Sequence, residues 1–109
     1  MRFEGRGALI WCPFPHEAAA REATGVMLDE RLVACGNLLP GMQSLFAWQG
    51  ARDESTECGA VFKTTAALLG TAMRRLSELH PYDTPAITGW TVQADAGTLA
   101  WLEAETRGA

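Results

Sequence analysis

The chain has 109 residues, enough for one compact domain with a single core and too few for two. Hydrophobic residues at 48% and charged residues at 20% exclude a disordered tail, and a net charge of −4 without any Lys or Arg cluster argues against nucleic acid as the main partner. No apolar run approaches the ~20 residues of a membrane span, and Glu4 with its neighbouring glycines interrupts the apolar segment that a secretory signal needs, so a cytoplasmic location with no membrane partner is expected. The three cysteines, Cys12, Cys35 and Cys58, are widely spaced and form no CxxC pair. That spacing indicates neither a disulfide framework nor a zinc site, and the three are read as thiols.

In chain order, the apolar run Gly7–Cys12 predicts a buried strand closed by Pro13 and Pro15. A helix follows from His16, with Pro15 near its first turn and an apolar stripe of Ala19, Ala23, Val26 and Met27. Leu32–Trp48 reads as a long strand interrupted at Pro40-Gly41, because proline cannot donate to a ladder and such breaks mark bulges or edges. The stretch QGARDE supplies a turn, and STECGAVFKTT the returning strand. Thr64 or Thr65 can cap the next helix, whose stripe is Leu69, Ala72, Met73 and Leu76. After HPYDTP come a strand, AITGWTV, and a terminal helix, ADAGTLAWLEAETR, with Leu99 and Leu102 inward.

The order β-α-β-β-α-β-α is the α+β, ferredoxin-like arrangement with one helix added, built as a single domain over residues 1–109. Its antiparallel sheet brings distant segments together. Cys12 ends the first strand, and His80 ends the second helix, at one edge of the sheet, which the connection between strands two and three shares. Lys63 falls at the opposite edge. Strands two and three exceed the roughly five or six residues of a typical strand, and a small sheet cannot cover the excess. A hairpin that projects and pairs with other chains is preferred over a solvated hairpin within a monomer.

These residues closely resemble the CutA family of divalent-cation tolerance proteins. The resemblance rests on ERLVACGNLLPGMQSLFAWQG, Glu57, FKTT and LHPYDTPAI, and runs from about Ala8 to Glu103. It implies a ferredoxin-like subunit in a tight homotrimer, an association with copper and other divalent cations, and no established catalytic activity or obligatory cofactor. The chain departs from the family's usual pattern at Phe46, where tyrosine is common, at Gly36 for valine, at Ala86 for glutamate and at Thr98 for an aromatic. Leu79 precedes His80 where some members have a second histidine.

By that resemblance Cys12 and His80 match copper ligands. The chemistry is reasonable, since thiolate favours Cu(I) and imidazole suits either oxidation state, but a third donor has to come from Met, another chain or solvent. The other reading of Cys12 is a small buried hydrophobe, which is preferred for Cys35 and Cys58. The other reading of His80 is a helix-end residue stopped by Pro81. His16 is read as solvated. Trp48, Lys63 and Tyr82 are candidate cleft-lining residues. Tyr82 is read first as packing, Asp83 as a turn acceptor, and Lys63 as paired with Glu57 or another carboxylate rather than as an anion site. Trp11, Trp48, Trp90 and Trp101 are read as core and interface packing.

Three functions follow. The first is a homotrimeric metal-tolerance protein whose partners are its own copies and a metal ion. The alternative is a sensor similar to the trimeric PII signalling proteins, binding a small metabolite between subunits. An enzyme with Cys12 as nucleophile and His80 as base stands last, because no third group is seen to orient them.

Overall fold

The computed structural model describes residues 1–109. β1 (Phe3–Phe14) runs farther at both ends than its apolar run predicts. At the start, Phe3 and Glu4 pair with Asp95 and Ala94 across a bulge that precedes Gly7. At the end, Pro13 and Phe14 still pair with Gly59 and Cys58, whereas the ladder on β1's other side stops at Trp11. Pro13 therefore sits where one ladder is already gone, a position at which a missing N–H is tolerated.

α1 (Glu17–Asp29) begins at His16, whose Nδ1 accepts the Ala19 N–H at 3.1 Å. His16 is exposed, as its solvated reading expects, and is also the helix cap, satisfying one of the donors a helix start leaves open. Arg31, at φ 58°, turns the chain out of the helix. Leu32 and Val33 are buried in the connection rather than on a strand, so β2 (Cys35–Trp48) starts three residues later than predicted.

The β2–β3 connection is tighter than QGARDE suggests. Gln49 and Gly50 alone make the turn, both at positive φ (50° and 78°), as a two-residue hairpin requires, and Ala51–Glu54 belong to β3 (Ala51–Thr65). Pro40-Gly41 makes the expected irregularity, a register shift between Leu39 and Met42 with Gly41 at φ 73°. Of the two candidate caps, Thr65 accepts the Leu68 N–H and starts a short 3₁₀ turn, Ala66–Leu68, that leads into α2 (Leu69–Leu79). Thr64 is buried and donates instead to the Leu32 carbonyl at 2.7 Å, tying β3 to the connection ahead of β2.

β4 (Thr88–Asp95) pairs with β1 and completes a four-stranded antiparallel sheet in the order β2-β3-β1-β4, the ferredoxin-like topology. Ala8, Ile10, Cys12 and Phe14 on β1, with Cys58, Ala60, Phe62 and Thr64 on β3, form one face and are all buried. α1 and α2 cover that face through Ala20, Ala23, Met27, Ala72 and Leu76. α3 (Ala96–Glu105) packs Leu99 and Leu102 against Ala94 and Ala34, and Arg6 near the start of β1 ion-pairs with its Glu103. The opposite sheet face, with Leu9, Trp11, Val61, Lys63 and Trp90, has no helix pair of its own. Of the tryptophans read as core and interface packing, Trp101 is 39% exposed and outside the core, because Leu99 and Leu102 already fill the packing side of α3.

Gly36 has a direct physical cause. A Cβ there would stand 2.6 Å from Thr24 Cγ2 and 3.4 Å from the Phe62 ring, so the α1 side chain occupies the space that a β2 side chain would take. Gly36→Val should therefore destabilise the fold by about 1–3 kcal/mol through overpacking. In urea denaturation the double variant Thr24→Ala/Gly36→Val should recover about 0.5 kcal/mol or more relative to additivity, and strict additivity would refute the packing account.

Candidate functional site

The predicted meeting of strand end and helix end takes place. His80 follows the last turn of α2, its N–H bonding the Leu76 carbonyl, and Pro81 prevents continuation. Extended backbone at His80 (φ −75°, ψ 136°), as a residue before proline prefers, carries the ring back over the end of β1. There His80 Nε2 lies 2.8 Å from the Pro13 carbonyl, and Nδ1 accepts the Tyr82 N–H at 3.1 Å. Phe14 stacks on the imidazole with centroids 4.4 Å apart, and His80 is only 7% exposed.

Cys12 lies beneath this corner, fully buried (0%) on the helix-covered face, its thiol directed at the Pro13 carbonyl at 3.6 Å. Burial, with a smaller contribution from the Glu57 carboxylate, pushes the thiol up to about 12. That disfavours the thiolate a nucleophile needs, against the enzyme reading. Cys58 is buried as expected, and burial raises its thiol as well. Cys35 is not buried as expected: it is half-exposed on the open face, near the Asn37 side chain.

Above the corner lies a cleft of about 600 Å³ between the outer hairpin and the crossover. Pro13 floors it, and Phe46, Trp48, Glu57, Tyr82 and Asp83 are among its walls. Trp48 and Tyr82 are among the residues that line this single-chain cleft, and Tyr82 does more than pack. Its hydroxyl donates to Glu57 Oε2 at 2.9 Å, joining the crossover to β3. Loss of water around the phenol, then that bond and the charge of Glu57, push Tyr82 up to about 12. Asp83 is a wall residue. Lys63 is not: it pairs in register with Leu9 and Cys35 toward the other end of β3 and takes part in none of the chain's ion pairs. The expected Lys63–Glu57 pair is absent because a strand rises about 3.3 Å per residue, which keeps six-residue neighbours far apart. Glu57 as Tyr82's partner was missed by the sequence reading. Glu57 pairs with Met42, the first residue after the Pro40-Gly41 bulge, a register that the folded hairpin sets and spacing along the chain does not carry.

The family model of the CutA1 divalent ion tolerance protein matches residues 8–105. The chain belongs to the CutA family. It is 35% identical over 100 residues to a divalent-cation tolerance protein CutA of Citrobacter koseri, covering 91% of this chain and 87% of that one. The similarity to the Pectobacterium atrosepticum protein of the same name is 34%, covering 91% of both. Among solved structures, CutA of Xylella fastidiosa superposes with a TM-score of 0.87 at 32% identity, covering 93% of this chain and 98% of that one. CutA1 of Pyrococcus horikoshii gives 0.86 at 35% identity, with 92% and 98% covered. The Citrobacter and Pectobacterium relatives carry divalent-cation tolerance in their names, and these similarities do not favour the PII-like alternative.

Within the CutA frame the departures acquire positions. Phe46 and Ala86 both line the cleft, so its walls lack a hydroxyl and a carboxylate that the family pattern would supply. Leu79 packs against the core beside His80. Thr98 completes the cap of α3, its N–H and hydroxyl both bonding Asp95, which holds that carboxyl below the usual carboxylate range. Tested against a metal ion, the Cys12 and His80 pair does not fit: one donor is buried, the other has both ring nitrogens engaged, and no group of three His, Cys, Asp or Glu surrounds them.

Two measurements follow. A chromogenic disulfide reagent should leave Cys12 and Cys58 unreacted in the native protein and titrate all three thiols in urea, and rapid native reaction of Cys12 would refute its burial. Because the folded values of Cys12 and Tyr82 lie above their unfolded ones, the native state keeps protons that the unfolded chain releases. Stability is thus full below the unfolded values and declines as pH rises from 9.0 towards about 12. Urea midpoints across that range should fall, and fall less steeply in Cys12→Ala.

Proposed function

We propose that this chain serves divalent-cation tolerance as a homotrimer, assembled through its long hairpin and the open face of its sheet. One observation carries the assembly: the single chain leaves apolar side chains outside any core of its own. Leu45 is 68% and Trp48 54% exposed near the hairpin tip, and Trp90 stands exposed on the sheet face opposite α1 and α2. Exposed apolar surface of this extent on a small domain marks an interaction site.

The shape supports the same reading. The chain measures 45 × 27 × 22 Å with a radius of gyration of 14.6 Å, against about 13 Å for a compact domain of this length. A projecting antiparallel hairpin also presents β2 as a free sheet edge, and strand pairing with a neighbour satisfies that edge. The threefold state and the ligand class, copper or another divalent cation, rest on the family resemblance. The ion is assigned to the assembled protein, not to an open Cys12 and His80 ligand pair in one chain.

Sedimentation equilibrium should return three times the 11.8 kDa chain mass. Leu45→Glu/Trp48→Glu should shift the population towards monomer, and a monomeric parent protein would overturn the assembly. For the tolerance role, expression in a cation-sensitive bacterial host should raise the Cu(II) concentration that halves growth by about twofold or more. No change with copper, zinc or cadmium would overturn it.

A further inference from the structure

We infer that His80 is a positioning residue that clasps the crossover onto β1, and that this chain does not use the Cys12 and His80 pair as metal ligands. The donor and acceptor roles around the ring admit one arrangement. A carbonyl only accepts, so Nε2, 2.8 Å from Pro13 O, carries the hydrogen. A backbone amide only donates, so Nδ1, 3.1 Å from Tyr82 N, is the bare nitrogen.

A metal ion binds a neutral imidazole through its in-plane lone pair. Here that lone pair is on Nδ1 and already receives the Tyr82 amide. Coordination at Nε2 would need that nitrogen to give up its hydrogen and its hold on Pro13. Phe14 stacked at 4.4 Å and 19° opposes rotation of the ring towards another partner. Cys12 offers no open coordination direction at 0% exposure, and Leu79, the neighbouring side chain, brings no donor.

What the clasp accomplishes is visible in the bonds that radiate from it. Pro13 at the end of β1, His80 after α2 and the Tyr82 amide are linked through one ring, and the Tyr82 hydroxyl extends the chain to Glu57 on β3. Three segments far apart in sequence, at Pro13, at Glu57 and from His80 to Tyr82, are thereby fixed along the floor and wall of the cleft. His80 holds Tyr82 in place, and the cleft keeps its shape without a metal.

Cys12 and His80 lie in the interior of one chain, so their roles are tested separately from the oligomeric state. Long-range ¹H–¹⁵N correlation of the His80 ring in the full protein should show Nε2 protonated and Nδ1 bare, and the reverse tautomer would overturn the clasp. Anaerobic Cu(I) titration against a chromogenic chelator should give affinities within about twofold for the parent, Cys12→Ala and His80→Gln. A tenfold loss in either variant would overturn the exclusion of the pair. Cys12→Ala keeps that test decisive if His80→Gln unfolds. His80→Gln, which can donate to Pro13 and accept from Tyr82, should retain a higher Tm than His80→Ala, and equal losses would count against the clasp. Sedimentation of the same samples distinguishes a lost ligand from a lost assembly.

Discussion

The rest of the structure depends on the β1–β3 ladder, from Gly7 opposite Thr65 to Phe14 opposite Cys58. Directly opposed residues share a face and successive residues alternate, so this one register sends Ile10, Cys12, Phe14, Ala60 and Phe62 to the same dry side. Two helices cover that side and leave Leu9, Trp11, Val61 and Trp90 on the other. Cys12 is inert for the same reason that Ile10 is in the core: both obey the same period. A shift of one residue would expose the thiol and bury Trp11, and it would lose the packing under α1 and α2.

The second organising feature is the corner at His80. A helix that ends on His-Pro must leave in extended backbone, and here the departure lays the imidazole across the last residues of β1. The prolines at 13 and 81 then act together, one at the strand end where a ladder has stopped, one forcing the exit. Between them the ring finds an acceptor and a donor, and both of its nitrogens are satisfied within a site from which water is almost excluded. The cleft above inherits its geometry from this corner through Tyr82 and from the hairpin bulge through Phe46 and Trp48.

Much of the fold was legible in the residues themselves. The Pro40-Gly41 bulge, the Thr65 cap, the inward Leu99 and Leu102 and the seven-element order all follow from local rules of proline, capping and periodicity. Errors arose where two local signals competed. Arg52, Asp53 and Glu54 look like a turn by composition, yet positive φ at Gln49 and Gly50 completes the reversal first and the charged residues continue the strand. Trp101 is not part of the small core of α3, which Leu99 and Leu102 fill. His16 is exposed, in keeping with a solvated reading, and its capping of α1 is added by the fold, since that role depends on which residue ends the extended segment.

The candidate site shows the same division more sharply. Topology deduced from the order of elements was enough to bring Cys12 and His80 to one edge, because antiparallel strands fix which ends coincide. Whether two such residues can act on a ligand depends on lone pairs and free volume, and these belong to the packed chain. Sequence by itself determined the family, the ferredoxin-like course of the chain and the proximity of strand end and helix end, since each is encoded in local pattern and element order. Only the tertiary structure decided that the thiol is sealed in the core, that the imidazole is committed on both nitrogens and that Tyr82 answers to Glu57, because a hydrogen bond is set by ångströms and angles that spacing along the chain does not carry.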